Sequence, residues 1–253
     1  MSSLVVGLIA FACIFGGAIL GIVTRSKLPE HHLDSESKDV VKLGIGVIAM
    51  MTALLLGLVT ASAKSAFDSQ ATAVRQSAAD ILALDRILAR YGPETKDLRE
   101  LIRVMVAYRL AMTWPEDGSS PAKMDVAEST FAVETIEDRI LELSPQTNVQ
   151  REFKSRALMI SGNFMRARWL VSGGKVETIP WMLLIAVIFW LTVIFGSFGL
   201  FAPPNATVVT VLFFCALSIA VSIFLILELE QPFEGVIKVS SAPLRFVLSH
   251  LGQ

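Results

Sequence analysis

Residues 40–63, VVKLGIGVIAMMTALLLGLVTASA, form an apolar run in which Lys42 is the only charged side chain. About 20 apolar residues suffice to cross a bilayer as a helix. A helix is required there because hydrocarbon offers no partner for backbone N–H and C=O groups. The run therefore predicts a membrane-spanning helix.

Three further runs, 4–24, 179–200 and 206–229, have similar length and character. The chain is 53% hydrophobic and 18% charged, whereas soluble domains carry about 25% charged residues. No Lys or Arg precedes the first run, and it is long for a signal peptide, so we interpret it as a retained helix. We predict an all-α integral membrane protein with four transmembrane helices in two hairpins.

Polar residues are concentrated between the second and third spans, where apolar side chains recur at helical spacing. We expect the second helix to continue to Tyr91, where Gly92-Pro93 ends it, and three more amphipathic helices to follow. The predicted domains are a transmembrane hairpin (1–63, spans 4–24 and 40–63), a helical cytoplasmic bundle (64–176), a second transmembrane hairpin (177–230, spans 179–200 and 206–229) and a cytoplasmic C-terminal segment (231–253).

Charge predicts orientation and excludes some functions. More Lys and Arg residues flank the spans on the side of the central region than on the other side. This distribution predicts that both termini and the central region are cytoplasmic, in a bacterial inner membrane. The net charge of −1 does not indicate a nucleic-acid partner. The sequence has no phosphate-binding glycine loop, zinc-ligand spacing or nucleophile elbow, so we predict no enzyme activity, cofactor or metal.

Two of the spans carry small residues at helical spacing. Gly17 and Gly21 of the first span form a small-xxx-small pattern, which is typical of close helix contact in membranes. In the second span, at 100° per residue, small residues with a lysine at each end share a stripe roughly 80° wide. Its members are Lys42, Gly46, Ala49, Ala53, Gly57, Thr60 and Lys64.

This stripe has two interpretations. Small side chains allow helix backbones to approach each other closely in a bilayer. Alternatively, copies of the helix around a central axis would line a pore, with rings of lysine attracting anions at its mouths.

The end of the fourth span is acidic. Glu228, Glu230 and Glu234 lie at the predicted cytoplasmic boundary, where charged groups must be solvated, paired or bound to a cation. They either mark a simple helix end, with Pro232 stopping the helix, or form a cation-binding or gating region.

The order of two spans, a helical insert and two more spans resembles the bestrophin anion channels. The chain resembles still more closely a bacterial membrane-protein family labelled bestrophin-like. The stretches that carry the resemblance are Leu28-Pro29-Glu30-His31-His32-Leu33, Ser37-Lys38-Asp39-Val40-Val41-Lys42-Leu43-Gly44, Leu84-Asp85-Arg86, Tyr91-Gly92-Pro93-Glu94, Phe198-Gly199-Leu200-Phe201-Ala202-Pro203 and Leu227-Glu228-Leu229-Glu230-Gln231-Pro232-Phe233.

The resemblance implies a homo-oligomer, a pentamer in bestrophins, whose second spans line a pore for an anion such as chloride. Bestrophins narrow the pore with bulky apolar side chains, for which Met51 and Leu55 are candidates here. Calcium-gated members carry an acidic run after the Pro-Phe-Gly segment, whereas Val236-Ile237-Lys238-Val239 follows here. The alternative is a membrane-anchored sensor or scaffold whose helical bundle binds a protein partner.

Overall fold

The computed structural model describes residues 2–27, 35–115, 135–172, 181–233 and 235–252, and these residues form helices joined by turns, without strands. Residues 135–142 are helical, and a 3-10 turn spans Pro93–Thr95. The longer helices are α1 (Ser3–Arg25), α2 (Ser35–Tyr91), α3 (Lys96–Thr113), α4 (Asn148–Ser172), α5 (Trp181–Phe201), α6 (Ala206–Leu229) and α7 (Ala242–His250).

Four of the described helices are long and apolar enough to cross a membrane, which confirms the predicted spans. They are α1, the part of α2 from Asp39 onward, α5 and α6. The predicted continuation of the second helix to Tyr91 is also confirmed. Gly92 has a φ of 149°, which favours glycine, and Pro93 lacks a backbone donor, so together they end the helix.

Contacts within the chain define two compact units. The first comprises Met1–Phe67 and Glu177–Ile237, and the second comprises Asp68–Val176 and Lys238–Gln253. The arrangement in two hairpins and the cytoplasmic location of the inserted bundle stay predictions.

In the first unit, α1 and α5 touch through their backbones. A Cβ placed on Gly21 would overlap the carbonyl oxygen of Gly196, and one placed on Gly199 would overlap that of Ala18. A Cβ on Gly17 would lie 2.8 Å from the backbone of α5. The predicted contact role of Gly17 and Gly21 is therefore confirmed, since only glycine permits this approach.

Polar contacts hold the turn between α5 and α6. The Arg25 guanidinium, at the end of α1, donates to the carbonyl oxygen of Ala202. Asn205 is the N-cap of α6, and its side chain accepts a hydrogen bond of 2.8 Å from the backbone N–H of Val208.

The second unit has its own apolar core. The C-terminal helix α7 contributes to this core, although residues 231–253 were predicted only as a separate C-terminal segment. The apolar repeat that predicts the next helix of the insert starts at Val126, so its first part lies outside the described residues. The buried core side chains are Ala78, Ile81, Leu84 and Leu88 of α2; Leu98, Ile102, Val106 and Leu110 of α3; Ile136 and Ile140; Ala157 of α4; and Leu244, Val247 and Leu251 at α7.

One ion pair is part of this core. Asp85 of α2 is fully buried and accepts two hydrogen bonds from Arg99 of α3, of 2.7 Å from Nε and 3.1 Å from Nη2. The hydrogen bond to Asp85 raises the pKa of Arg99 above its ordinary value. This bidentate geometry fixes the register between the two helices.

Side chains of α4 satisfy carbonyl groups at the ends of two other helices. Gln150 donates to the Tyr91 carbonyl oxygen at the end of α2, at 3.1 Å. Lys154 donates to the carbonyl oxygens of Leu141 and Leu143, at 2.7 and 2.8 Å. The last carbonyls of a helix lack intrahelical partners, so these bonds tie α4 to both helix ends.

We predict that Gly21→Ala lowers the apparent Tm of the protein in detergent by several degrees. The added methyl group forces α1 away from α5, at a cost of about 1–3 kcal/mol. Gly16→Ala is the matched control, because nothing described lies within 4 Å of a Cβ at that position. Equal Tm values for the two variants would contradict the close packing.

We also predict that Asp85→Ala destabilises the second unit by about 3–5 kcal/mol, because it leaves the Arg99 charge without its carboxylate in a largely buried site. Glu152→Ala serves as the control. Glu152 pairs with Arg156 on the surface, with side chains 60% and 58% exposed, and such pairs contribute about 0–1 kcal/mol. The stability of the two variants is measured by thermal unfolding, monitored by circular dichroism. A similar loss of stability in Asp85→Ala and Glu152→Ala would contradict the prediction.

Candidate pore-lining helix

Within the first unit, α2 packs against the rest of the chain along one face. Ile45, Ile48 and Leu56 pack on the buried cluster formed by α1, α5 and α6, and Thr52 and Val59 are buried. Their spacing of three and four residues places them on one side of the helix. The apolar window of α2 is 17% buried, compared with 39%, 33% and 28% in α1, α5 and α6. Hence α2 leaves the largest share of its apolar surface uncovered.

The small stripe lies beside this packed face and is mostly exposed. Ala49 is half-buried at its edge and contacts the α1–α5–α6 cluster. Among the described residues, no atom lies within 4 Å of a Cβ placed on Gly46 or Gly57. The exposed members are Lys42, Gly46, Ala53, Gly57, Thr60 and Lys64. In the described part of the chain, these glycines therefore do not serve contact with another helix.

A third face of α2 is bulky, apolar and exposed. Its members are Leu43, Val47, Met50, Leu54 and Leu58, each between 62% and 74% exposed. The structure separates the two constriction candidates. Met51 is 49% exposed at the edge of this face, whereas Leu55 packs on the cluster of α1, α5 and α6.

The two lysines at the ends of the stripe have different surroundings. Lys42 forms a 3.1 Å salt bridge with Asp39, one turn earlier, and both side chains are exposed. Lys64 Nζ lies 6.0 Å from the centroid of the Phe67 ring, a cation–π contact. Asp39 therefore offsets the charge of Lys42 at one end. Asp68, four residues after Lys64, also lies close to the stripe and weakens the positive field at the other end.

The two described acidic residues at the end of α6 differ in exposure. Glu228 is 4% exposed, and Glu230 is half-buried. Glu234 lies outside the described residues. No group of three or more His, Cys, Asp or Glu side chains suited to a metal occurs in the parts of the chain that the structure describes.

Both carboxylate oxygens of Glu228 accept hydrogen bonds from the protein. The Ser3 hydroxyl donates to Oε1 at 2.6 Å, and the backbone N–H of Val236 donates to Oε2 at 2.5 Å. Gly235 has a φ of 80°, and a Cβ on it would overlap Glu228 Oε2. The roles of Ser3 and Gly235 were not predicted from the sequence, although a glycine that follows an acidic helix end is a usable signal for a turn.

Comparison with known proteins gives one match. The family model described as a bestrophin-like domain matches residues 12–244 of the chain. No curated protein and no solved structure matches this chain.

Proposed function

Because this chain belongs to the bestrophin-like family, we propose that it is an oligomeric membrane channel that passes anions, with α2 lining the pore. The observation that carries the proposal is the lysine-ended small stripe of α2, which the described residues leave exposed except at Ala49. A family match over nearly the whole chain supports the channel class.

The faces of α2 suit different surroundings. One face packs on the chain itself, and the bulky face of Leu43, Val47, Met50, Leu54 and Leu58 suits lipid or the apolar surface of a second copy. The small stripe exposes the helix backbone and leaves room beside it. Copies of α2 arranged around an axis would therefore enclose water beside the stripe rather than beside the bulky face.

Charge supports an anion as the permeant species. Lys42 and Lys64 lie at the two ends of the stripe, with no charged residue on the helix between them. Low-dielectric walls strengthen the attraction of each lysine for an anion inside a pore. Asp39 weakens this attraction at the Lys42 end because of its salt bridge.

The direct test is flux. We expect the purified protein in liposomes to dissipate an imposed chloride gradient, detected with a chloride-sensitive dye. Lys42→Glu lowers the preference for anions several-fold and Asp39→Asn raises it, since a unit charge about 4 Å away contributes about 1 kcal/mol even in water. Lys96→Glu, an equal charge change on α3 outside the stripe, is the control. Flux no greater than in protein-free liposomes contradicts the channel and favours the sensor or scaffold.

A second test assigns the water path to one face of α2. Ala53→Cys and Leu54→Cys introduce neighbouring thiols, both at exposed positions of the chain. With Cys13 and Cys215 replaced by alanine, we expect a charged, water-soluble thiol reagent to modify residue 53 but not residue 54 in membranes. The reverse pattern would assign the water path to the bulky face, and modification of neither would contradict a pore along α2.

A further inference from the structure

The acidic end of α6 has an arrangement that the proposed pore does not use. The Glu228 side chain lies between the first turn of α1, which supplies the Ser3 hydroxyl, and the turn after α6, which supplies the backbone N–H of Val236. Ser3 and Glu228 are each 4% exposed. The carboxylate therefore joins two chain segments separated by 225 positions.

The partners of Glu228 in the described residues are hydrogen-bond donors. Hydroxyl and N–H groups present the positive ends of their dipoles to the carboxylate oxygens. A calcium ion takes about six to eight oxygen ligands, and in the described residues Glu228 belongs to no group of three or more His, Cys, Asp or Glu side chains that could supply them. Within the described residues, the environment of Glu228 thus suits an internal hydrogen-bonded carboxylate rather than a calcium site.

The residues next to Glu228 contact α2. Ile226, two residues earlier on α6, packs with Val59 and Ala63 of α2 in a small buried cluster, and Leu229 packs against the same cluster. Thr60 and Lys64 of the small stripe follow Val59 and Ala63 directly in sequence. A shift of the end of α6 would therefore be passed to the Lys64 end of the stripe.

From these contacts we propose that Glu228, with Ser3 and the turn at 235–236, is a calcium-independent latch that positions the Lys64 end of α2. Glu228 acts as a positioning residue, because its neighbours Ile226 and Leu229 are the residues that pack against Val59 and Ala63 of α2. The latch itself rests on the contacts alone. Its effect on ion passage rests on the proposed function.

The first experiment measures the latch without requiring ion flux. Ser3→Ala removes the hydroxyl donor, and Ser2→Ala is the matched control, because Ser2 is exposed and its side chain makes no capping hydrogen bond. We expect Ser3→Ala to lower the apparent Tm in detergent by about 3–6 °C, as for loss of one hydrogen bond to a buried charged group. Ser2→Ala should leave it unchanged. Equal Tm values for Ser3→Ala and Ser2→Ala overturn the latch.

The second measurement separates positioning from general stability. A spin label at Ala61→Cys, in the cysteine-free background, reports local mobility at the Lys64 end of α2, and a label at Leu43→Cys reports the other end. Ser3→Ala should increase mobility at residue 61 and leave residue 43 unchanged. An equal change at both labels, or none at either, overturns the positioning role.

The calcium arm uses the wild-type protein and Glu228→Gln. We expect millimolar Ca²⁺ and a chelator to give the same Tm for the wild type. A calcium-induced rise in Tm that Glu228→Gln abolishes would overturn the proposal and identify a cation site. Liposome flux is recorded in parallel, so that absence of flux in the wild type contradicts the channel, while the Tm and mobility results still decide the latch.

Discussion

The backbone contact between α1 and α5 is the constraint on which the rest of the first unit depends. Apolar side chains gain little by leaving lipid for each other, so helices in a bilayer associate through close packing and polar contacts. Gly17, Gly21 and Gly199 allow such packing, because any side chain there would meet the opposite backbone. On another side of α1, the Phe11 and Phe15 rings contact the Phe213 ring of α6 at centroid distances of 5.4 and 5.5 Å. With α1 packed against both helices, α2 contacts this group along one face and keeps two faces for other surroundings.

The sequence of α2 changes character along its length, and the change follows its surroundings. At 57 residues, α2 is about 85 Å long, and only its first part is apolar on every side. After Phe67 its apolar residues narrow to a single stripe, in which Ala78, Ile81, Leu84 and Leu88 are buried in the core of the second unit. A helix with apolar residues on all sides suits lipid, and one with a single stripe suits a bundle in water. One uninterrupted helix thus belongs to both units.

The number of candidate spans and the end of α2 at Gly92-Pro93 could be predicted from the sequence, because each depends on local composition. The faces of α2 could be predicted only in part. The stripe of small residues is visible from spacing, and the structure leaves most of it uncovered. Ile48, Leu55 and Met51 look alike in sequence, but the first two pack within the chain and Met51 is exposed. Periodicity cannot separate such residues, because lipid and a neighbouring helix are equally apolar surroundings. Nor does any local pattern relate Ser3 to Glu228, since that pairing is made by the tertiary fold.

The end of α6 illustrates why an acidic motif does not by itself define a cation site. Glu228 and Glu230 read the same way in sequence, as carboxylates at a membrane boundary. What distinguishes Glu228 is that hydrogen-bond donors occupy both of its oxygens in a buried site. Loss of the carboxylate would leave the buried Ser3 hydroxyl without this partner, at a cost of about 1–3 kcal/mol. An acidic motif of the kind that binds cations in solution therefore favours an internal hydrogen-bonded contact once the fold has placed donors beside it. The packing of Ile226 against Val59 and Ala63 connects this contact to α2.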